Sequence, residues 1–154
     1  MPARHMLCVL LMAVTCYCQP TTQAATRPTR RAESKEAFLA RYQAAHEAGD
    51  VDAAMRLVCW DGVDKKTKSF FRKNFETDFQ AKFTSARLEP PAKGQWPDYE
   101  QNGVRYTTNL DVVASLMVEM VQIVKSTSAP STTSYPVGLK EGRYCITTAT
   151  PAAK

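Results

Sequence analysis

The chain is poor in the residue types on which most enzyme active sites depend. Its 154 residues include two histidines, and only His46 lies beyond the N-terminal segment. None of its six glycines belongs to a phosphate-binding loop or a nucleophile elbow, which argues against nucleotide-dependent enzymes and serine hydrolases. One histidine and two widely separated cysteines, Cys59 and Cys145, are too few ligands for a metal site. We therefore expect no metal and no cofactor.

Apolar runs long enough to cross a membrane are absent as well. The N-terminal run Met6–Val14 has nine residues, which would rise about 13 Å as a helix against roughly 30 Å of hydrocarbon. Arg4 and His5 precede this run, and Thr15-Cys16-Tyr17-Cys18 follows it. A short basic end, an apolar stretch and a small polar exit zone predict a secretory signal peptide over residues 1–18. We therefore expect the protein to be exported.

Two cleavage sites compete at the end of this segment. Ala13-Val14-Thr15-Cys16 resembles the bacterial lipoprotein box, although Thr15 stands where that motif prefers Gly or Ala. Cys16 is therefore a candidate lipidation site, and its acyl chains would hold the protein on a membrane. Cleavage after Thr22-Gln23-Ala24 would instead release a protein that begins at Ala25. The expected location is thus a periplasmic or outer-envelope lipoprotein, or a secreted protein.

The net charge of +5 invites a nucleic-acid partner, but the distribution of charge opposes it. Sixteen of the 20 Lys and Arg residues and all 15 Asp and Glu residues lie from Glu33 onward, so this part is nearly neutral. A duplex-binding domain would carry a basic excess there, and we expect no nucleic-acid partner. Residues 19–32 contain three arginines, two prolines and four threonines, a composition that predicts a flexible linker or tether.

Residues 33–150 are predicted to form one domain, followed by a short tail over residues 151–154. Its first half has helical periodicity. Phe38, Tyr42 and Ala45 share one face of a first predicted helix, and Phe71, Phe75 and Phe79 share one face of a later one. Aspartates at suitable N-cap positions and Gly49 separate the segments. The predicted helices are Glu33–Ala48, Val51–Val58 and Lys65–Ala81.

The second half is rich in β-branched residues and predicts strands. Val112–Lys125 could also form a helix, but its valine and isoleucine content favours a strand. Lys140-Glu141-Gly142 suits a hairpin turn, since Gly142 readily takes positive φ. Loops are predicted over residues 90–103 and Ser126–Thr133, and strands over Phe83–Glu89, Val104–Leu110, Val112–Lys125, Tyr135–Leu139 and Arg143–Thr148. The predicted fold class is α+β, with three helices packed on an antiparallel sheet of four to five strands.

Cys59 and Cys145 are the only cysteines of the predicted domain. A disulfide is possible in an exported protein, and two free thiols are the alternative. Alternation along the last strand turns Tyr144 and Ile146 toward the helices and Cys145 away from them. We therefore predict that the two cysteines are not bridged.

The order of these elements resembles the nuclear-transport-factor-like superfamily of cone-shaped α+β domains, of the uncharacterised bacterial envelope type. The resemblance rests on Gly49-Asp50 between the first helices, the Trp60 turn and the final segment Gly142-Arg143-Tyr144-Cys145-Ile146. It implies a curved antiparallel sheet that wraps around the helices and leaves a pocket at the open end. Members of this superfamily include dehydratases, isomerases and small-molecule binders, so the resemblance alone assigns no function.

Catalytic candidates are few. The resemblance implies that enzymes of this fold carry His and Asp on strands that face the pocket, and the predicted strands contain no histidine. His46 lies near the apolar stripe at the end of the first helix, where we expect it to cap the helix or lie on the surface. Asp111 and Glu119 are the carboxylates on strands. Glu119 is the more conspicuous, and we expect it to share a solvated face with Lys125, because the two are six residues apart on a strand. An acid–base role would instead require Glu119 to face a pocket that raises its pKa.

An aromatic-rich domain without a catalytic set favours binding over catalysis. Most of the aromatic side chains should form the core, and some could line a pocket in which tyrosine hydroxyls fix a ligand. The pocket candidates are Tyr42, Trp60, Phe75, Phe79, Tyr106 and Tyr144. The predicted function is a non-enzymatic exported domain that binds a small apolar ligand or an envelope partner. The alternative is a cone-fold lyase or isomerase that uses Glu119 and a tyrosine.

Overall fold

The computed structural model describes residues 32–96, 98–124 and 127–152. The predicted signal peptide, Cys16, the alternative cleavage site before Ala25 and the linker up to residue 31 lie outside these residues. Among the described residues, no helix has the length and apolar character that a membrane crossing requires.

Three helices form the first half of the domain, as predicted. They are α1 (Lys35–Glu47), α2 (Val51–Met55) and α3 (Lys65–Asp78). Each begins at a polar N-cap, where the side chain of Ser34, Asp50 or Asp64 accepts a hydrogen bond from a backbone N–H three residues later, at 3.2, 2.8 and 2.7 Å. Gly49 has φ +64° between α1 and α2, a conformation that only glycine adopts without strain.

Four antiparallel strands form the main sheet, in the order β1-β4-β5-β6. This sheet is strongly curled into a half-barrel. The short strands β2, β3 and β7 form a second, three-stranded antiparallel sheet, which we call the small sheet. The strands are β1 (Lys82–Glu89), β2 (Tyr99–Gln101), β3 (Val104–Thr108), β4 (Val112–Val124), β5 (Thr127–Lys140), β6 (Arg143–Ile146) and β7 (Ala149–Pro151). The predicted α+β class is confirmed.

Two loop predictions are wrong. Ser126–Thr133 was expected to be a loop, but from Thr127 onward it forms the first half of β5, paired with β4 along its length. The polar segment 90–103 contains β2. Strand β7 includes Pro151, the first residue of the expected tail, and Pro151 pairs with Tyr106 of β3. These strands are short or lie at a sheet edge, where little apolar burial is required to hold them.

The core lies between the helices and one face of the main sheet. Leu116, Val118 and Met120 of β4 are fully buried, because alternate residues of a strand face the same side. They pack with Phe38 and Tyr42 of α1 in a single hydrophobic cluster. His46 belongs to this interior, with 3% of its surface exposed, so the expectation of a capping or surface position is wrong.

Both cysteines of the domain are free thiols, as predicted. Cys59 is buried after α2, and Cys145 is partly buried on β6. Tyr144 contacts the Phe38 ring at a centroid distance of 5.9 Å and Ile146 is fully buried, which turns Cys145 to the opposite face. Burial raises the pKa of the Cys145 thiol above its ordinary value.

Candidate functional site

A groove of about 810 Å³ runs between α3, β5 and the small sheet. This volume lies within the range of ligand sites, about 300–1,000 Å³. Helix α3 provides one wall, including Phe70, Phe71 and Asn74, and the small sheet provides another, including Tyr99 and Tyr106. Residues 133–136 of β5 lie between these walls.

The groove lining is aromatic and hydroxyl-rich, and its described residues include no leucine, isoleucine, valine or methionine. Six of its 22 residues are aromatic and eight are serine or threonine, with three carboxamides and three charged residues. Aromatic rings provide apolar surface with a polarised face, and hydroxyls both donate and accept hydrogen bonds. Such a lining suits a ligand that combines an apolar part with hydrogen-bonding groups.

Two aromatic side chains of the groove are unusually exposed. Phe70 is 61% exposed and Tyr99 is 47% exposed, and both stand among the few large apolar side chains that the described residues leave open to solvent. The Tyr99 ring stacks on Tyr106 at a centroid distance of 5.1 Å and an interplanar angle of 9°. Exposed aromatic surface that borders a cavity is a common mark of a binding site.

A carboxylate–tyrosine pair lies deeper in the groove. The Tyr135 hydroxyl of β5 donates to Asp78 Oδ2 at 2.5 Å, joining the sheet to the last residue of α3. Burial, together with this hydrogen bond, raises the pKa of Tyr135 well above its ordinary value, so Tyr135 stays a donor at neutral pH. The pair places a carboxylate and a phenol hydroxyl side by side in a partly buried position.

Two buried hydroxyls near this pair have no hydrogen-bond partner within the described residues. Tyr42, whose ring lies 6.4 Å from that of Tyr135, leaves its Oη unpaired in the interior. Thr147, a residue of the groove lining, leaves its Oγ1 unpaired as well. Buried polar atoms normally have partners, so a water or a ligand group near Thr147 would relieve this deficit.

The segment before β2 is fixed to the sheet by a short hydrogen-bond chain. The Trp96 indole N–H donates to Ser115 Oγ at 3.1 Å, and Ser115 donates to Gln95 Oε1 at 2.9 Å. Ser115 lies on β4, on the face opposite the helices, and is nearly fully buried. Trp96 and Gln95 therefore form a defined part of the groove rather than a loose loop.

Of the pocket candidates, only Tyr106 lines the groove. Tyr42 and Phe75 are fully buried in the core, while Trp60, Phe79 and Tyr144 pack against it. Trp60 donates its indole N–H to the Met55 carbonyl at 2.9 Å, which fixes the turn after α2.

Glu119 lies away from the groove and is held as an anion. Its carboxylate accepts from Arg87 at 2.5 Å and from Ser85 at 3.0 Å, across the β1–β4 pairing. These hydrogen bonds, the one from Arg87 first, lower the pKa of Glu119 below its ordinary value. A raised pKa, which an acid–base role would require, is therefore not found at Glu119. Its expected neighbour Lys125 lies outside the described residues.

The sequence reasoning missed Phe70, Trp96, Tyr99, Asp78 and Tyr135 as groove residues. Phe70 stands beside the Phe71–Phe79 stripe, one residue out of its period, which is the signal of an aromatic side chain that faces away from the core. Asp78 and Tyr135 are 57 residues apart and meet only through tertiary packing.

No three His, Cys, Asp or Glu side chains in the described ranges approach one another closely enough to hold a metal ion. Comparison of the chain with protein-family models, with curated proteins and with solved structures finds no match. The function must therefore be argued from the groove itself.

Proposed function

We propose that the chain is an exported, non-enzymatic domain that binds its ligand in the groove between α3, β5 and the small sheet. The observation that carries this proposal is the convergence of exposed Phe70 and Tyr99 on one cavity that also holds the Asp78–Tyr135 pair. Exposed rings give up unfavourable contact with water when a ligand covers them, and a few fixed polar groups orient that ligand.

The proposal includes the cone-shaped, nuclear-transport-factor-like fold and the cell envelope as the site of action. Three helices on a curled antiparallel sheet, with a groove at its border, support the fold. The N-terminal pattern of Arg4, the apolar run and Cys16 supports export with a lipid tether. The ligand is a small molecule with an apolar face, or a segment of an envelope protein.

The test is recovery of bound molecules from protein purified from its native envelope. We expect mass spectrometry to find a molecule enriched on the parent protein and lost from a Phe70→Ser variant. Leu139→Ser is the matched control, because Leu139 is similarly exposed, at 46%, but lies outside the groove. Equal recovery of the molecule from the Phe70→Ser and Leu139→Ser variants would contradict the proposal. So would the failure to recover any bound molecule from the parent protein.

A second candidate, a lyase or isomerase, is favoured by the Asp78–Tyr135 pair. A pocket carboxylate can remove a proton while a tyrosine hydroxyl polarises a carbonyl group. Asp78 would replace Glu119 in this role, and Tyr135 would have to exchange its hydrogen bond from Asp78 to the substrate. If the recovered ligand is turned over, Asp78→Asn should abolish turnover while ligand binding persists.

A further inference from the structure

Strand β5 extends well beyond its partner on one side. It pairs with β4 from Thr127 to Gly138, but β6 pairs only with its last four residues, Val137–Lys140. One more bond follows, from Thr147 N–H to the Pro136 carbonyl at 2.8 Å. After that the chain leaves β5, because Thr148 N–H bonds to Asn109 Oδ1 and residues 149–151 join the small sheet.

The backbone groups of β5 on this side are open between Pro130 and Pro136. In an antiparallel pair, the N–H and C=O of one residue point to the same neighbour and alternate along the strand. Pro136 faces the β6 side, so Ser134 and Thr132 face the same way, with two N–H donors and two carbonyl acceptors. No described strand pairs with them. Pro130 lacks an N–H and ends the row, as prolines do at sheet edges.

The groove straddles this open edge. Tyr135, on one face of β5, contacts Phe75 of α3 at a centroid distance of 5.5 Å. Pro136 lies on the other face and pairs with Ser115 of β4, and the Ser115 hydroxyl accepts a hydrogen bond from the Trp96 indole N–H. Both faces of residues 133–136 belong to the groove lining, so α3 stands on one side of the edge and the small sheet on the other.

We propose that the groove binds an extended peptide of another protein, which adds to the edge of β5 as a further strand. This inference rests on the proposed function and names its ligand. A row of alternating donors and acceptors at strand spacing is matched by an extended backbone, and pockets on the two sides then read alternate side chains. The peptide continues the line of β6 where the chain itself has turned away.

The walls define the side chains of this peptide. Toward α3 they meet the rings of Phe70 and Phe71 and the carboxylates of Asp64 and Asp78, with Lys66 as the one cation among the described lining residues. Apolar and basic side chains therefore alternate with residues that face the hydroxyls of Thr107 and Thr108 on the small sheet. Proline is excluded at peptide positions whose N–H must bond to β5.

The experiment selects heptapeptides from a displayed random library on the purified protein and then methylates single backbone nitrogens of a selected peptide. We expect the selected sequences to have a basic or an apolar residue at every second position, where the side chain faces α3. N-methylation should weaken binding about tenfold or more at every second residue and little at the residues between, since only the former bond to β5. Equal effects at all positions, or no selected peptide, would overturn the inference.

Two variants of Ser134 provide the matched test on the protein. Ser134→Pro removes the open N–H without breaking the pairing with β4 and should weaken peptide binding about tenfold with an unchanged melting temperature, whereas Ser134→Ala should bind like the parent. Equal peptide binding by both variants would overturn the inference, and so would a dimer of the parent that Ser134→Pro abolishes, because a second copy would then occupy the edge. Recovery of a small molecule from the groove, with no peptide bound, would overturn the inference that the ligand is a peptide and leave the proposed function intact.

Discussion

Phe75 is the residue on which the packing of α3 depends most directly. It is fully buried and lies within 5.5–6.2 Å, centroid to centroid, of Phe71, Phe79 and Tyr135. We predict that Phe75→Ala lowers the free energy of unfolding by about 3–5 kcal/mol, because it empties an aromatic core site. Since domains of this size have about 5–15 kcal/mol of stability, thermal or urea unfolding should show a large shift.

A lysine of the same helix serves as the control. Lys73→Ala should change stability by less than about 0.5 kcal/mol, since the side chain of Lys73 is exposed. Lys68 would be a poorer choice, because its ammonium lies 5.7 Å from the centroid of the Trp60 ring. If Phe75→Ala melts like Lys73→Ala, the aromatic stripe of α3 is not part of the core.

His46 is a buried base within an aromatic cluster. Its Nε2 lies 3.3 Å from Met120 Sδ, and its ring lies 4.5 and 5.2 Å from the rings of Phe79 and Phe83. Burial lowers the pKa of His46 more than the nearby Asp78 raises it. The imidazole is therefore neutral in the folded protein at pH 7.

A specific pH dependence of stability follows from this depressed pKa. The unfolded chain takes up a proton at His46 near pH 6.5 while the folded state resists it, so stability falls as the pH drops below about 6.5. We predict that the free energy of unfolding, measured with urea, decreases more between pH 7.5 and pH 5.5 for the parent than for the His46→Leu variant. Parallel pH profiles for the two proteins would show that His46 is not the group responsible.

At the scale of elements, the β5–β6 hairpin has one residue in an unfavourable conformation. Glu141 and Gly142 have φ +51° and +75°, the signs that a two-residue turn between such strands demands. Glutamate is poorly suited to positive φ, whereas asparagine tolerates it. We predict that Glu141→Asn raises the free energy of unfolding by about 0.5–1 kcal/mol. Glu141→Val should lower it, and the reverse order in thermal melts would contradict the turn geometry.

The sequence predicted elements that bury a periodic apolar face and missed those that do not. Helices α1 and α3 were predictable because each follows an N-cap residue and has apolar residues at helical spacing, such as Phe38 and Tyr42 on α1 and Phe75 on α3. The first half of β5 resembles a loop in sequence because residues 127–133 are serines and threonines with one alanine and Pro130, and none of them is a large apolar residue. An edge strand needs no N–H on its open side, so Pro130 is compatible with a strand there.

The groove was less predictable than the fold. Tyr106 could be named as a pocket candidate from its type alone, but β2 and β7 have three residues each, too few for a recognisable period. Because those two strands could not be predicted, neither could the small sheet nor the groove wall that contains Tyr99. A groove assembled from distant segments depends on contacts that sequence spacing does not encode.

At the scale of the whole molecule, the balance of charge separates a basic N-terminal segment from a nearly neutral domain. In a lipid-anchored chain the three arginines of residues 19–32 would lie within reach of anionic head groups, where each would contribute about 1 kcal/mol. We predict that Cys16 is lipidated in the native host. The intact mass of the membrane-extracted protein should show a diacylglycerol adduct on a chain that begins at Cys16. A soluble fraction whose first residue is Ala25 would contradict this prediction.

The pairing of β7 with β3 has a consequence for how the protein is made. A chain leaves the ribosome with its N-terminus first, and β7 follows the whole main sheet along the chain. The helices and the main sheet are therefore synthesised while Tyr106 of β3 still lacks its partner Pro151 on β7. The wall of the groove that contains Tyr106 is therefore completed last, by a strand that is synthesised after every residue of the hydrophobic core.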